Sequence, residues 1–512
     1  MMFQRLTTPA LLLSAHQQIS DLFAQYAEWF CTAGKREAYA LRRTEMEISV
    51  SRQNLMLSCW TESGTRTWRI LGWHWNGQIL SLQASRKMGA ERPLIELIPR
   101  ASASGITATI RAARQARCNR IAELACSLHA ATRVERVSLS PGIRRGQPGR
   151  YARILLRRKS ERIAVTGSVV SANAASADAF LSAALLWFRR TSERIKPPYV
   201  EQLWLIVSHE LVNPIVYRVA LLRDSLKEII KVYRIDDGLT LLEPEVCRDR
   251  KELWKKKLAR FPPVPPATIT PATEQVVNLA PEAIDVVHAR HGQTLRYYGL
   301  PFARARALMG TERIWFGLDA SHRRLLEAST ISAWDSLIDD LRLHRSATAT
   351  DHRHALYRNA AEAWLESLLR RDITKLDPGL IIAPLHAQFR TARGGRIGVR
   401  PIDMLALRQD GRLVVIELKV SEDREHVLQG ADYWRRVEAH RRRGHIAKAR
   451  LFGERRISDQ TPLVYLVAPT LRVHPSFRTL ARCVASDIEV YRFDINEDWR
   501  AGVRVMRRIR VN

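Results

Sequence analysis

Cysteine is scarce in this chain and poorly arranged for chemistry. Six cysteines (Cys31, Cys59, Cys118, Cys126, Cys247, Cys483) are scattered over 512 residues, and no two form Cys-x-x-Cys. Neither a zinc ribbon nor a disulfide framework is indicated, and a reducing cytoplasm is the expected compartment. Long hydrophobic runs are also missing. The longest, Ala179–Phe188, falls short of the roughly 20 residues that cross a bilayer. It is expected to lie in a buried helix, and no membrane partner is expected. Ala10–Leu13 is too short for a signal-peptide core. Acidic residues are in deficit, with 52 Asp and Glu against 82 Lys and Arg, for a net charge of +30. An excess of that size attracts polyanions through counterion release, so nucleic acid is the expected partner. Residues 346–512 carry +11 of it, so the basicity is not confined to a tail. Arginine clusters stand at Arg144–Arg162 and Arg435–Arg443. Arginine suits bidentate phosphate contact, although the first cluster also reads as a solvated face.

What is present is ample apolar material, 46% of the chain, enough for real cores. The length implies two to four domains. Residues 1–45 read as helical. A small β-meander follows at Glu45–Val50, Leu55–Trp60, Thr67–Trp75 and Ile79–Gln83. Its tryptophans, Trp60, Trp68, Trp73 and Trp75, are expected in a core rather than as a base-stacking platform. A helix near Ile110–His129 and a Gly/Pro boundary at Pro141–Gly149 close a mixed α+β region over 1–140. Residues 150–260 mix strands (Ala152–Arg158, Gln202–Val207) with helices (Ala177–Arg194, Val219–Tyr233). Phe261–Ala272 reads as a proline-rich spacer, 273–345 as a connecting module, and 346–512 as a further α/β domain.

The most informative segment lies between Ile402 and Tyr433. Asp403 is followed by thirteen residues, then Glu417-Leu418-Lys419, then Gln429-Gly-Ala-Asp-Tyr433. Arg400–Arg408 and Arg412–Val420 are apolar-rich runs joined by Gln409-Asp410-Gly411, which signals a hairpin. With Gly411 left-handed in a three-residue loop, Arg408 stands opposite Arg412, and the same register sets Asp403 opposite Glu417. A two-residue loop would shift the register by one and separate them. Opposed side chains lie roughly 4.5–5.5 Å apart at Cβ, and two carboxylates at that separation suit a hard divalent cation. The strand period of two puts Lys419 on the face of Glu417. The run Leu413–Ile416 reads as a strand buried on both faces. Charges in such a strand need a reason, because buried unpaired charge is costly.

These residues resemble the PD-(D/E)xK nuclease superfamily, particularly its NucS-like and RecB-like branches, over about Asn359 to Trp434 and more weakly to Val467. The resemblance implies a C-terminal α/β fold, restriction-endonuclease-like, with a mixed sheet flanked by helices. It implies a Mg²⁺ (or Mn²⁺) dependent deoxyribonuclease. Asp403 and Glu417 match the acidic pair and Lys419 the lysine. Gln429 and Tyr433 match the Gln-x-x-x-Tyr of the following helix, where they share one face or serve in packing. The carbonyl of Leu418 is implied as a further metal ligand. Upstream, Ala361–Leu369 reads as an amphipathic helix leading to Asp377-Pro378-Gly-Leu. Glu362 matches the helix acid, acting through water or a second ion, with Glu366 in reserve. One inserted residue, Ile402, separates Pro401 from Asp403. Arg435, Arg436, Arg441, Arg442 and Arg443 follow on the same helix and are expected along a substrate groove.

Two decoys fail. His209-Glu210-Leu-Val-Asn213 lacks the second histidine of a zinc-protease helix, and Pro214 is expected to break that helix. The pairs His288/His291 and His352/His354 lack partners at ligand spacing. The leading expectation is a metal-dependent nuclease, with DNA the expected substrate. The competing one is a nucleic-acid-binding or partner-binding protein that keeps a nuclease fold without activity. A homodimer is compatible with either.

Overall fold

A computed structural model of the chain describes residues 3–33, 39–51, 53–61, 64–86, 91–99, 103–142, 147–170, 176–194, 197, 199–247, 249–254, 258, 260–261, 268–289, 292–308, 311–319, 322–391 and 400–512. The protein is mixed α/β and divides into two compact units. The first holds 1–172, 195–210 and 232–245; the second holds 173–194, 211–231 and 246–512. The four regions expected from sequence therefore regroup. Residues 273–345 and 346–512 share one unit, together with two segments from mid-chain.

The first unit contains an eight-stranded antiparallel sheet packed on the helix Pro9–Gln25 through Leu12, Ala15, Ile19 and Phe23. The expected meander is part of it, as Met46–Ser51, Asn54–Thr61, Gly64–Trp75 and Leu80–Ser85. Trp68 and Trp73 are core residues, and Trp75 packs against that core. The helical reading of 1–45 holds only for the helix. Glu28–Ala33 and Tyr39–Arg42 are strands, because Trp29, Cys31 and Ala33 alternate inward at the period of two. A second sheet of six strands packs on the helix Ala103–Ser127. Within it Arg158 pairs with Glu161 and Arg162 with Glu135, so this part of the first basic cluster is a solvated, ion-paired face. Arg144 and Arg145 lie outside the described residues.

In the second unit, helix α1 (Ala177–Arg194) matches its expected span. Helix α2 (His209–Val219), which begins in the first unit, runs through Pro214, correcting the expected break. The proline is its sixth residue, so only one early backbone hydrogen bond is forfeited. The continuous helix expected at Val219–Tyr233 is instead Asp224–Ile229 followed by a strand from Ile230, where Ile-Lys-Val-Tyr favours extended backbone. The expected proline spacer is anchored at both described ends. Phe261 packs on Phe389 and His440, and Pro271 already begins a helix; 262–267 lie outside the described residues. A five-stranded antiparallel meander from Ile284 to Leu325 follows, then the helix Ile331–His344.

The C-terminal sheet is built from β1 (His386–Phe389), β2 (Ile402–Leu407), β3 (Leu413–Leu418), β4 (Leu463–Pro469), β5 (Val490–Ile495) and β6 (Val505–Arg510), in that spatial order. β3, β4 and β5 run parallel; the other pairs are antiparallel. Helix α3 (Ala361–Arg371) packs Trp364, Leu365 and Leu369 with Met404, Ala406, Val414 and Ile416. Helix α4 (His426–Arg441) packs Tyr433 and Val437 with Leu405, Leu407, Leu413 and Val415. Over Met404–Leu407 and Leu413–Ile416 even and odd residues thus serve opposite layers, so these stretches are apolar throughout.

Candidate functional site

The hairpin β2–β3 fixes the register of the site. Met404 pairs with Ile416, Leu405 with Val415, Ala406 with Val414 and Leu407 with Leu413. At the turn, Arg408 N–H donates to the Arg412 carbonyl at 2.9 Å, and Gly411 has φ 80°. Continuing that register carries Asp403 to Glu417, as the three-residue loop implied. Asp403 Oδ2 accepts the N–H of Leu418 at 2.8 Å, which ties the two strands at this level.

Glu417 is fully buried, and its Oε1 accepts from Lys419 Nζ at 2.5 Å. Its other oxygen, Oε2, is buried without a hydrogen-bond partner. Burial, and next the Asp403 carboxylate, push the Glu417 carboxyl well above the usual range. Burial alone would lower Lys419, but Glu417, Glu362 and Asp403 outweigh it and hold the ammonium charged. Asp423 lies 3.9 Å from Lys419.

Helix α3 brings both of its acids to this end of the sheet. Glu362, in the first turn, accepts from the Val420 backbone and feels Lys419, Asp403 and Asp423; burial raises its pKa. Glu366, one turn on, is buried and accepts from Gln388 Nε2 at 2.7 Å, with Arg296 3.8 Å away. Burial raises it as well. Of the two, Glu362 is the one beside Lys419.

On α4, Gln429 Nε2 donates to the Tyr433 hydroxyl at 2.7 Å, leaving Gln429 Oε1 buried without a partner. Burial, and next Glu417, hold the Tyr433 phenol far above its ordinary pKa. His426, at the start of the same helix, contacts the Glu417 carbonyl through Nε2 at 3.2 Å. Burial, and next Lys419, push it down to about 3, so it is a neutral donor there.

The five arginines expected along a substrate groove, three on α4 and two just after it, all make bonds within the protein. Arg441 and Arg442 both donate to Glu438, a fully buried carboxylate, at 2.5–2.9 Å. Arg443 donates to the carbonyls of Ala439 and Trp254. Arg435 is paired with Asp432 at 2.6 Å, and Arg436 is buried, bonded to Thr391 and the Arg400 carbonyl. Asp432 also lies 3.5 Å from Arg218 of α2, which is bonded to Asp178 of α1 at 2.5 Å. Arg435, Arg441 and Arg442 thus pair with acids of α4 itself, while Arg436 and Arg443 also bond residues outside it. Only Arg442 exposes much of its side chain, 45%.

Sequence reasoning missed Asp423 and Gln388. Asp423 carries a faint signal, an acid four residues after Lys419 where the strand has ended. Gln388 carries none. Asp377 of the Asp-Pro-Gly-Leu turn is a packing hub, accepting from Tyr465 at 2.6 Å. Among the described residues, no group of three or more His, Cys, Asp or Glu side chains forms a ready-made metal cage. Two carboxylates with an orphaned buried oxygen still fit a hard cation that keeps waters and takes substrate phosphate oxygens. Among the described residues, no helix is long and apolar enough to cross a membrane. No protein-family model, curated protein or solved structure matches this chain.

Proposed function

We propose that this chain is a divalent-cation-dependent nuclease that hydrolyses phosphodiester bonds, with DNA as its substrate. The observation that carries this reading is the convergence of Asp403, Glu417 and Lys419 at the end of a doubly buried hairpin. Packing alone gives no reason for it, since an apolar residue at 417 would spare the desolvation of a carboxylate. The order of elements supports the same reading: α3, three antiparallel strands, α4, then a parallel strand.

Asp403 and Glu417 would hold a Mg²⁺ or Mn²⁺ ion, with the Leu418 carbonyl and Glu362 as the remaining protein oxygens. Such an ion supplies Lewis acidity at the scissile phosphate and acidifies an attacking water. Lys419, an ammonium hydrogen-bonded to Glu417, orients that water and stabilises negative charge developing on the phosphate. Gln429 and Tyr433 present an amide and a phenol from the α4 side, where they orient the phosphate. The net charge of +30 raises the local concentration of a polyanion.

The test is incubation of the purified full chain with labelled single-stranded, duplex and branched DNA in Mg²⁺, Mn²⁺ or EDTA. Cleavage that needs a divalent ion and vanishes in Asp403→Ala is the expected result. No cleavage of any substrate with either metal, or cleavage unaffected by Asp403→Ala, would overturn the proposal.

A further inference from the structure

A left-handed residue sits inside the strand that borders Asp403. β1 pairs with β2 through Ala387↔Met404 and Phe389↔Ile402, so the register places Gln388 across from Asp403. Gln388 has φ 48°, a conformation that residues with a Cβ adopt at an energetic cost and that regular strands do not use.

The side chains show what this turn does. In regular strands, alternate residues serve one face. His386 lies against Phe452 in the layer of α4, so by alternation Gln388 belongs there too. Instead its carboxamide reaches Glu366 on α3. The alternation inverts on both strands at this level. Ala387 and Met404 pack in the α3 layer, whereas Phe389 and Ile402, of the same parity, pack in the α4 layer. Asp403 sits at the inversion. It is thereby committed to neither layer and stands where Glu362 of α3 and Glu417 of β3 both reach it.

We infer that Gln388 is a positioning residue for the cation site: its bond to Glu366 holds the left-handed turn that sets where the Asp403 carboxylate stands. This inference rests on the nuclease reading of the same site. The tether is needed because the turn is strained, and a strained conformation persists only where its surroundings over-determine it. Glu366 is a firm anchor, being buried on α3 with Arg296 3.8 Å away. Supports of this kind, one residue removed from the ligands, typically change metal affinity or activity by about 10–100-fold when removed.

The experiment is calorimetric titration of Mn²⁺ into the metal-free full chain, without substrate, for wild type, Q388A, Q388G and E366Q. Q388A is expected to bind Mn²⁺ at least about 10-fold more weakly. Q388G guards against misfolding, because glycine accepts the turn freely. It should melt no lower than wild type yet bind as weakly as Q388A. E366Q keeps an acceptor for the Gln388 amide and should bind like wild type. Wild-type affinity in Q388A and Q388G overturns the inference and leaves the nuclease reading standing. Equal loss in E366Q and Q388A assigns the effect to the charge of Glu366 and also overturns it. A wild type that binds no Mn²⁺ overturns the nuclease reading and this inference together.

Discussion

Lys419 donates to Glu417 at 2.5 Å at the end of a strand whose other residues are all apolar and buried. The pair makes the two site carboxylates unequal. Asp403 is partly exposed and hydrogen-bonded by a backbone N–H, whereas Glu417 holds the only ammonium within its reach among the described residues. Both Asp403→Asn and Glu417→Ala should lower metal-dependent cleavage by at least about 100-fold. Their effects on metal-free stability should differ in sign. Asp403→Asn keeps an acceptor for Leu418 N–H and removes a like charge, so stability should hold or rise by up to about 1 kcal/mol. Glu417→Ala removes the nearest partner of a buried ammonium and leaves a cavity, and should cost about 3 kcal/mol or more. Thermal melts in EDTA check this; equal melting temperatures for the two variants would refute the asymmetry.

The register of this site was legible because a three-residue loop ending in Gly411 leaves little freedom, and the period of two does the rest. The inversion at Gln388 was not, since glutamine is not a residue that announces a left-handed turn. The pairing of Arg441 and Arg442 was hidden for a related reason. Their partner Glu438 sits in the same run of residues, but nothing in the sequence tells a buried carboxylate from a solvated one. Strand Glu28–Ala33 was readable in principle, since Trp29, Cys31 and Ala33 alternate inward and Trp, Phe and Thr favour extended backbone.

Glu438 gives the second prediction. It is fully buried and accepts from Arg441 and Arg442. Changing both arginines to Gln should leave that carboxylate short of charge and destabilise the protein by about 3 kcal/mol. If these arginines are structural, the slope of log DNA affinity against log salt should stay at the wild-type value. A slope flattened by roughly 0.7–0.9 per arginine would instead mark them as phosphate contacts.

Gly299 gives the third. Its φ is 78°, and a Cβ there would lie 2.0 Å from the carbonyl oxygen of Ala363, next to Glu362. The neighbouring Tyr298 stacks on Trp364 at 5.1 Å, so this turn cannot withdraw without opening the α3 layer. Gly299→Ala should cost about 3 kcal/mol or more. By displacing the first turn of α3 it should also reduce cleavage at temperatures where the variant is still folded. A variant that melts and cleaves like wild type would show that α3 yields freely.

The fourth prediction concerns pH. Glu425 precedes α4, and its backbone N–H donates to Asp423 at 2.7 Å. Burial, and next the Asp423 carboxylate, push its carboxyl up to about 7, against a partial offset from Arg400 at 3.6 Å. The unfolded chain releases this proton near the ordinary pKa of about 4.3. Below that pH the group is neutral in both states and carries no penalty. Between there and about 7 the unfolded state ionises while the folded state keeps its proton, so stability falls as pH rises. Above that range the loss is complete, on the order of 2 kcal/mol after allowing for partial solvent contact. Glu425→Gln removes the penalty. In EDTA the variant should melt with wild type at pH 4 and above it at pH 8, the gap opening between the two. A gap that does not change with pH would mean that Glu425 ionises normally in the folded protein.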